Sequence, residues 1–244
     1  MLESRTLLAS SGRILMIFAL VLVVAGLASG QGKTWTVDAD FDQGYMVNVN
    51  HDLPTHDQLQ LNTLTTPFPL INIACSARGT IARINTTTGQ PMGEYLTSPD
   101  GMGRNPSRTT VDLEGNVWAG NRNEASGGQG SVVKVGLIIG GTRVDAMGNP
   151  DPNGDYLAPP FEYNTCIDRD GDGLIKTSRG LGDIRPWLAG QDPEDEAILL
   201  FVRTTGPNVR HVSVDANNDV WVGGYPYTPT AFDKLRGVDG TILQ

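Results

Sequence analysis

Val111-Asp112-Leu113-Glu114-Gly115-Asn116-Val117-Trp118-Ala119-Gly120 recurs as Val214-Asp215-Ala216-Asn217-Asn218-Asp219-Val220-Trp221-Val222-Gly223. Each copy reads as a strand, a tight polar turn of Gly, Asn and Asp, and a second strand that opens on Val-Trp. Repeated hairpins of this kind mark a β-propeller, so the expected fold class is all-β. Thirty Gly, fifteen Pro and only 18% charged residues in 244 agree with a turn-rich β chain.

Three units are legible around these copies. The first runs from Phe68 through Leu70–Cys75, a turn at Ala77-Arg78-Gly79, Thr80–Asn85, a turn at Thr88-Gly89, and Glu94-Tyr95-Leu96. The second starts at Pro106 and continues through Trp118 to Val135. The third starts at Pro207 and continues through Trp221 and Phe232 to Gly240 and Gln244. Val111 and Val214 stand 103 residues apart, whereas a four-stranded blade takes about 40 to 50. The excess places an inserted loop region at about 140–195, rich in Gly, Pro, Asp and Asn. Three units fall short of the roughly four to eight blades that close a ring. The expectation is therefore an incomplete or truncated ring, with an open or small propeller completed by leader strands as the alternative.

Arg5 and Arg13, the apolar run Ile14–Leu27, and Ala28-Ser29-Gly30 form a secretory signal pattern over residues 1–30. The rival reading, an uncleaved anchor, meets an apolar stretch shorter than the roughly 20 residues that span a bilayer. Residues 31–66 read as extended leader strands: Trp35-Thr36-Val37, Met46–Val49 and Asp57–Leu61. The expected location is secreted or at the cell surface, with no membrane insertion after signal removal. A net charge of −9 without a basic run argues against nucleic acid as a partner. The partner class that remains is an extracellular protein, a glycan or a small molecule. Export permits a disulfide between Cys75 and Cys166; two separate buried thiols are the alternative.

Asp168-Arg169-Asp170-Gly171-Asp172-Gly173-Leu174-Ile175 matches the first eight positions of a calcium loop. Carboxylates at alternate positions converge on one hard cation, Gly173 allows the sharp turn, and the Leu174 carbonyl adds an oxygen. The twelfth position is Arg179 rather than a bidentate Glu, so the closing carboxylate must come from elsewhere. Asp183 is the nearest candidate and Glu196 a poorer one. The bland alternative is a surface turn that binds nothing. Calcium is expected to rigidify a long loop rather than to catalyse.

Arg108 and Arg210 sit at blade starts, with His211 beside them. Two readings stand for the arginines: an anionic ligand at a propeller mouth, or ion pairs between blades with Asp112 and Asp215. The equivalent Trp118 and Trp221 read as packing residues. No nucleophile elbow, zinc spacing or phosphate loop appears, and no catalytic residue is assigned.

Pro106 to Arg122, the Gly79–Asn85 unit with Thr88-Gly89, and Val214 to Gly224 resemble blades of the streptogramin-lyase-like propellers, within the broader NHL and SMP-30-like group. The resemblance covers roughly Phe68–Val135 and Pro207–Gln244. It implies a propeller; in the true lyases a His and Glu set with magnesium does the chemistry. This chain has one blade histidine, His211, so the active site does not carry over. The function expected is a secreted calcium-binding module for binding or scaffolding, and the alternative is an exported lyase or hydrolase acting at the propeller mouth.

Overall fold

Asp112, Asp145 and Asp215 each fold the chain back in the same way in a computed structural model of the protein. The structure describes residues 34–43, 49–52, 55–61, 68–122, 129–224 and 232–244. Asp112 Oδ1 accepts from the N–H groups of Glu114 (3.0 Å) and Asn116 (2.9 Å), and Gly115 N donates to the Asp112 carbonyl. Asp215 holds Asn217 and Asp219, and Asp145 holds Met147 and Asn149, in the same pattern. The fourth residue of each turn has positive φ: Gly115 (82°), Gly148 (81°) and Asn218 (64°). Glycine and asparagine tolerate that backbone, and the short aspartate side chain replaces the missing ladder partner. The copy at Asp145 lacks a following Val-Trp, so the repeated phrase does not reveal it.

The chain divides into two compact units, residues 1–67 and 68–244. In the first, a short helix α1 (Asp38–Phe41) precedes strands β1 (Val49–Asn50) and β2 (Gln60–Leu61), which pair antiparallel. The strand expected at Trp35-Thr36-Val37 is instead the entry to α1, where Asp40 Oδ2 accepts from Thr36 N at 3.0 Å. The signal segment 1–30, and Met46 and Val47 of the leader, lie outside the described residues.

The second unit opens with a sheet of β3 (Leu70–Cys75), β4 (Thr80–Asn85) and β5 (Pro91–Leu96). Next come β6 (Pro106–Val111), β7 (Val117–Asn121) and β8 (Ser131–Val135), then β9 (Ile138–Val144), β10 (Tyr156–Asn164) and β11 (Ile175–Lys176). Strand β12 (Ile198–Arg203) returns to pair with β8, so the second sheet has four strands in the order β6-β7-β8-β12. The third sheet comprises β13 (Val209–Val214), β14 (Val220–Gly224) and β15 (Phe232–Leu235).

This topology corrects the expected loop region. Strands β9, β10 and β11 form an antiparallel sheet of their own, inserted between the third and fourth strands of the second sheet. The strands are hard to read because Gly140-Gly141 and Pro159-Pro160 interrupt them, and the β9/β10 register shifts after Ala158. Proline lacks a ladder donor and glycine a side chain to pack, so both suppress the usual strand pattern.

Alternation along the strands gives each sheet two faces. Val117, Ala119, Val133 and Val135 of the second sheet are fully buried and share a core with Ile81 and Tyr95 of the first. Its opposite face carries Trp118 and Val132, also fully buried, in a second core with Val209, Val212, Val220, Val222 and Leu235 of the third sheet. Gly120 admits this contact, since a Cβ there would stand 2.3 Å from Val209 Cγ1. Each large apolar side chain so buried contributes about 1.5–3 kcal/mol.

One polar set marks both later sheets. Lys134, opposite Trp118, lies 3.2 Å from Asp112 Oδ2, donates to Gly237 O at 2.9 Å, and sits 5.4 Å from the Trp118 ring centroid. Lys234, opposite Trp221, lies 2.9 Å from Asp215 and 3.1 Å from Asp219, and 5.5 Å from the Trp221 ring. The first set is buried between sheets and the second is partly solvated. Lys134→Met strands the Asp112 carboxylate inside the protein and is expected to cost about 3–5 kcal/mol. Lys234→Met is expected to cost far less; equal losses in paired urea titrations would refute the difference in environment.

Candidate metal centre

Asp168, Asp170 and Asp172 each place a carboxylate oxygen within 4.8 Å of the others. The backbone between them is bent by Gly171 and Gly173, at φ 77° and 82°. Asp168 Oδ1 accepts from Gly171 N (2.7 Å) and Asp172 N (3.2 Å), and its Oδ2 accepts from Gly173 N (2.9 Å). Asp170 takes the N–H of Asp172, and Asp172 that of Leu174 at 2.7 Å. The Gly173 N–H, ahead of the others, holds the Asp168 carboxyl below its ordinary value.

One buried carboxylate braces the loop. Glu196, 6% exposed, accepts from Arg169 N at 2.6 Å and from Lys176 N at 2.7 Å, so one carboxylate ties both ends. Burial pushes its carboxyl up, and the negative charges of Asp170 and Asp168 push it further. The Arg169 guanidinium, which could have relieved that charge, donates to the carbonyls of Pro193, Asp195 and Ile198. The donor set is all carboxylate oxygen, and among the described residues no ion pair neutralises it, which suits a hard cation such as calcium.

The closing carboxylate departs from the sequence expectation. Asp183 does not join the three: its Oδ2 accepts from Arg179 N (2.7 Å) and Nε (3.1 Å), and Arg185 Nη2 lies 3.1 Å from its Oδ1. Burial raises the Asp183 carboxyl, but the Arg179 hydrogen bonds and the Arg185 charge outweigh it and bring the group below its ordinary value. Glu196, more distant in sequence, carries the bracing role because the segment leading into β12 runs against β11, where Glu196 N donates to Lys176 O at 2.8 Å.

The proposed mouth residues are also rearranged. Arg108 stands opposite Gly120 and His211 opposite Gly223, so His211 is the counterpart of Arg108. A register shift between Val209 and His211 takes Arg210 out of that alignment. Arg108 Nε donates to the Arg210 carbonyl at 3.2 Å, and the turn aspartates pair with Lys134 and Lys234 rather than with arginines. His211 Nε2 meets Ser213 Oγ at 2.9 Å and its ring lies 5.7 Å from that of Phe232. Cys75 and Cys166 are free thiols rather than a disulfide. Cys166 packs on the first core, where burial pushes its thiol up to about 12. Trp187, unassigned from sequence, is buried in the same core, donates to Gln191 O at 3.0 Å and meets Phe201 edge-on.

Compared with known proteins, the chain matches no family model and no curated protein.

Asp195 lies directly behind the loop, 1% exposed, and accepts from Thr177 Oγ1, Ser178 N and Ala197 N. Burial outweighs these donors and pushes its carboxyl from 3.8 up to about 6. A carboxyl raised in the folded state contributes stability below its unfolded value and loses it as pH rises. The stability difference between wild type and Asp195→Asn should therefore fall by on the order of 3 kcal/mol from pH 4 to pH 7. Urea titrations across that range check it, and a flat difference is the contrary result.

Proposed function

We propose that this chain is an exported, calcium-stabilised β-propeller module that works by binding or scaffolding at the cell surface. The carrying observation is the stacking rule: twice in succession, the apolar face of one sheet lies on the face of the sheet before it, with Gly120 and Trp118 at the second of these junctions. Consecutive blades of a propeller pack in that manner. The kinship with streptogramin-lyase-like propellers, carried by the Pro106–Arg122 and Val214–Gly224 repeats, belongs to the same proposal.

The third sheet supports the reading from its other side. Trp221 is partly exposed and Phe232 is 51% exposed, at positions whose counterparts in the second sheet, Trp118 and Val132, are fully buried. Trp221 and Phe232 stack at 5.5 Å with His211 beside them. This aromatic face suits a protein, glycan or small-molecule partner. The lyase reading needs a base beside a carboxylate. Among the described residues, the His211 ring nitrogen meets a serine hydroxyl and no ion pair joins it to an acid, which favours the binding module.

In this proposal calcium occupies the Asp168, Asp170 and Asp172 carboxylates and stiffens the connection between β10 and β11 of the inserted sheet. Binding to the native state at a hundredfold the Kd adds about 2.7 kcal/mol, or roughly 5–10 °C in melting temperature for a chain of this size. Thermal unfolding with calcium and with chelator should show that shift. Asp170→Ala should abolish it, while Asp183→Ala should leave it intact. A midpoint indifferent to calcium would sink the metal assignment.

A further inference from the structure

Arg83 and Arg143 are two cations of this acidic chain whose placement the reading above leaves unexplained. Arg83 is 1% exposed in the middle of β4. Its Nε donates to Asn72 Oδ1 at 2.9 Å, Nη1 to Gly136 O at 2.6 Å and Nη2 to Val135 O at 3.4 Å. Arg143, in β9 of the inserted sheet, donates from Nη1 to Thr177 O (2.9 Å) and Asp155 O (3.3 Å), and from Nη2 to Ser178 O (2.8 Å). Among the described residues neither has a carboxylate within ion-pair distance, although Arg78, Arg104, Arg179, Arg185 and Arg236 each have one. Arg83 is buried and Arg143 half-buried, and a guanidinium so placed that meets carbonyl and amide oxygens, with the Tyr95 ring 5.5 Å from Arg83, keeps its full charge without a counter-charge, which is costly.

Both arginines line one cavity of about 180 Å³ between the first sheet and the inserted sheet. Tyr95, 2% exposed, lines it too with a phenol whose hydroxyl can donate a hydrogen bond. That hydroxyl lies over Gly93, where a Cβ would stand 2.3 Å from the oxygen, so the glycine makes room for it. Met92 and Leu157 supply apolar wall, and Ser178 contributes a polar rim. Burial lowers the Arg143 guanidinium and pushes the Tyr95 hydroxyl up to about 12, so the phenol stays a donor.

We propose that this cavity is a binding site for a small oxyanion, with Arg83 and Arg143 supplying the counter-charge and the Tyr95 hydroxyl a hydrogen bond. The volume corresponds to about six waters at roughly 30 Å³ each. It is below the roughly 300–1,000 Å³ of sites for drug-sized ligands. The ligand is thus a free tetrahedral anion or the carboxylate of a short organic acid. Forked guanidinium donors suit either.

Calorimetric titration of the whole chain, in millimolar calcium and at constant ionic strength, tests this with sulfate in one arm and acetate in the other. Saturable 1:1 binding of either supports the site, and the stronger of the two identifies the source. Arg143→Met should weaken it at least tenfold. Met92→Trp, which fills the cavity while keeping both cations, should weaken it as much, and it decides the matter if Arg143→Met fails to fold. No saturable binding of either anion to the wild type, or undiminished binding by a folded Met92→Trp, would overturn the proposal. The calcium shift of Asp170→Ala is read separately, so failure here leaves the metal assignment standing.

Discussion

Everything in the second unit depends on the junction where Trp118 disappears between two sheets. A tryptophan can be fully buried only if its N–H finds a partner and its neighbours leave room. Both conditions are met locally: Trp118 Nε1 donates to Asp112 Oδ2 at 3.2 Å, and Gly120 clears space for Val209. Asp112 is already committed to shaping the turn, and Lys134 neutralises it from the neighbouring strand. One aspartate thus closes the hairpin, anchors the indole and holds a buried lysine. The turns of the two sheets are joined as well, since Leu113 N donates to Asn218 Oδ1 at 2.8 Å.

The inserted sheet exploits the position it occupies. Entering after β8 and leaving into β12, it brings its loops against the first sheet: Ser178 Oγ accepts from Glu94 N at 2.9 Å, and Gly182 N donates to Glu94 Oε2 at 2.8 Å. Where the segment returns, Glu196 and Asp195 knit the acidic loop to the core through backbone N–H groups. A stiff foundation under an exposed cluster of carboxylates lowers the ordering cost of binding a cation. The same insertion creates the Arg83 and Arg143 cavity, because those residues come from different sheets.

The legibility of these features in the sequence follows their range. The Asp112 and Asp215 turns and the Asp168–Leu174 loop are shaped by carboxylate hydrogen bonds to backbone N–H groups no more than five residues away, so their residue types alone declare them. The Asp145 turn was within reach by the same criterion and lacked only the flanking Val-Trp. Glu196 shows the opposite case: it lies 27 residues from Arg169 in sequence, and nearness along the chain favoured Asp183, which the arginines had already taken. The pairing of Trp118 with Lys134 offers no local signal either, because cross-strand partners are set by register.

Sequence by itself determined the β character, the repeated hairpin, the turn residues and the acidic loop, since each rests on short-range backbone preference and hydrogen bonding. Tertiary structure alone decided that the insertion is a sheet, that β12 completes the sheet begun at Pro106, and which acid braces the loop. It also decided that two repeats with the same Asp, Trp and Lys have different fates, one buried and one partly solvated. The physical reason is that burial and counter-charge belong to the neighbours a residue meets across sheets, and those neighbours are chosen by packing rather than by proximity along the chain.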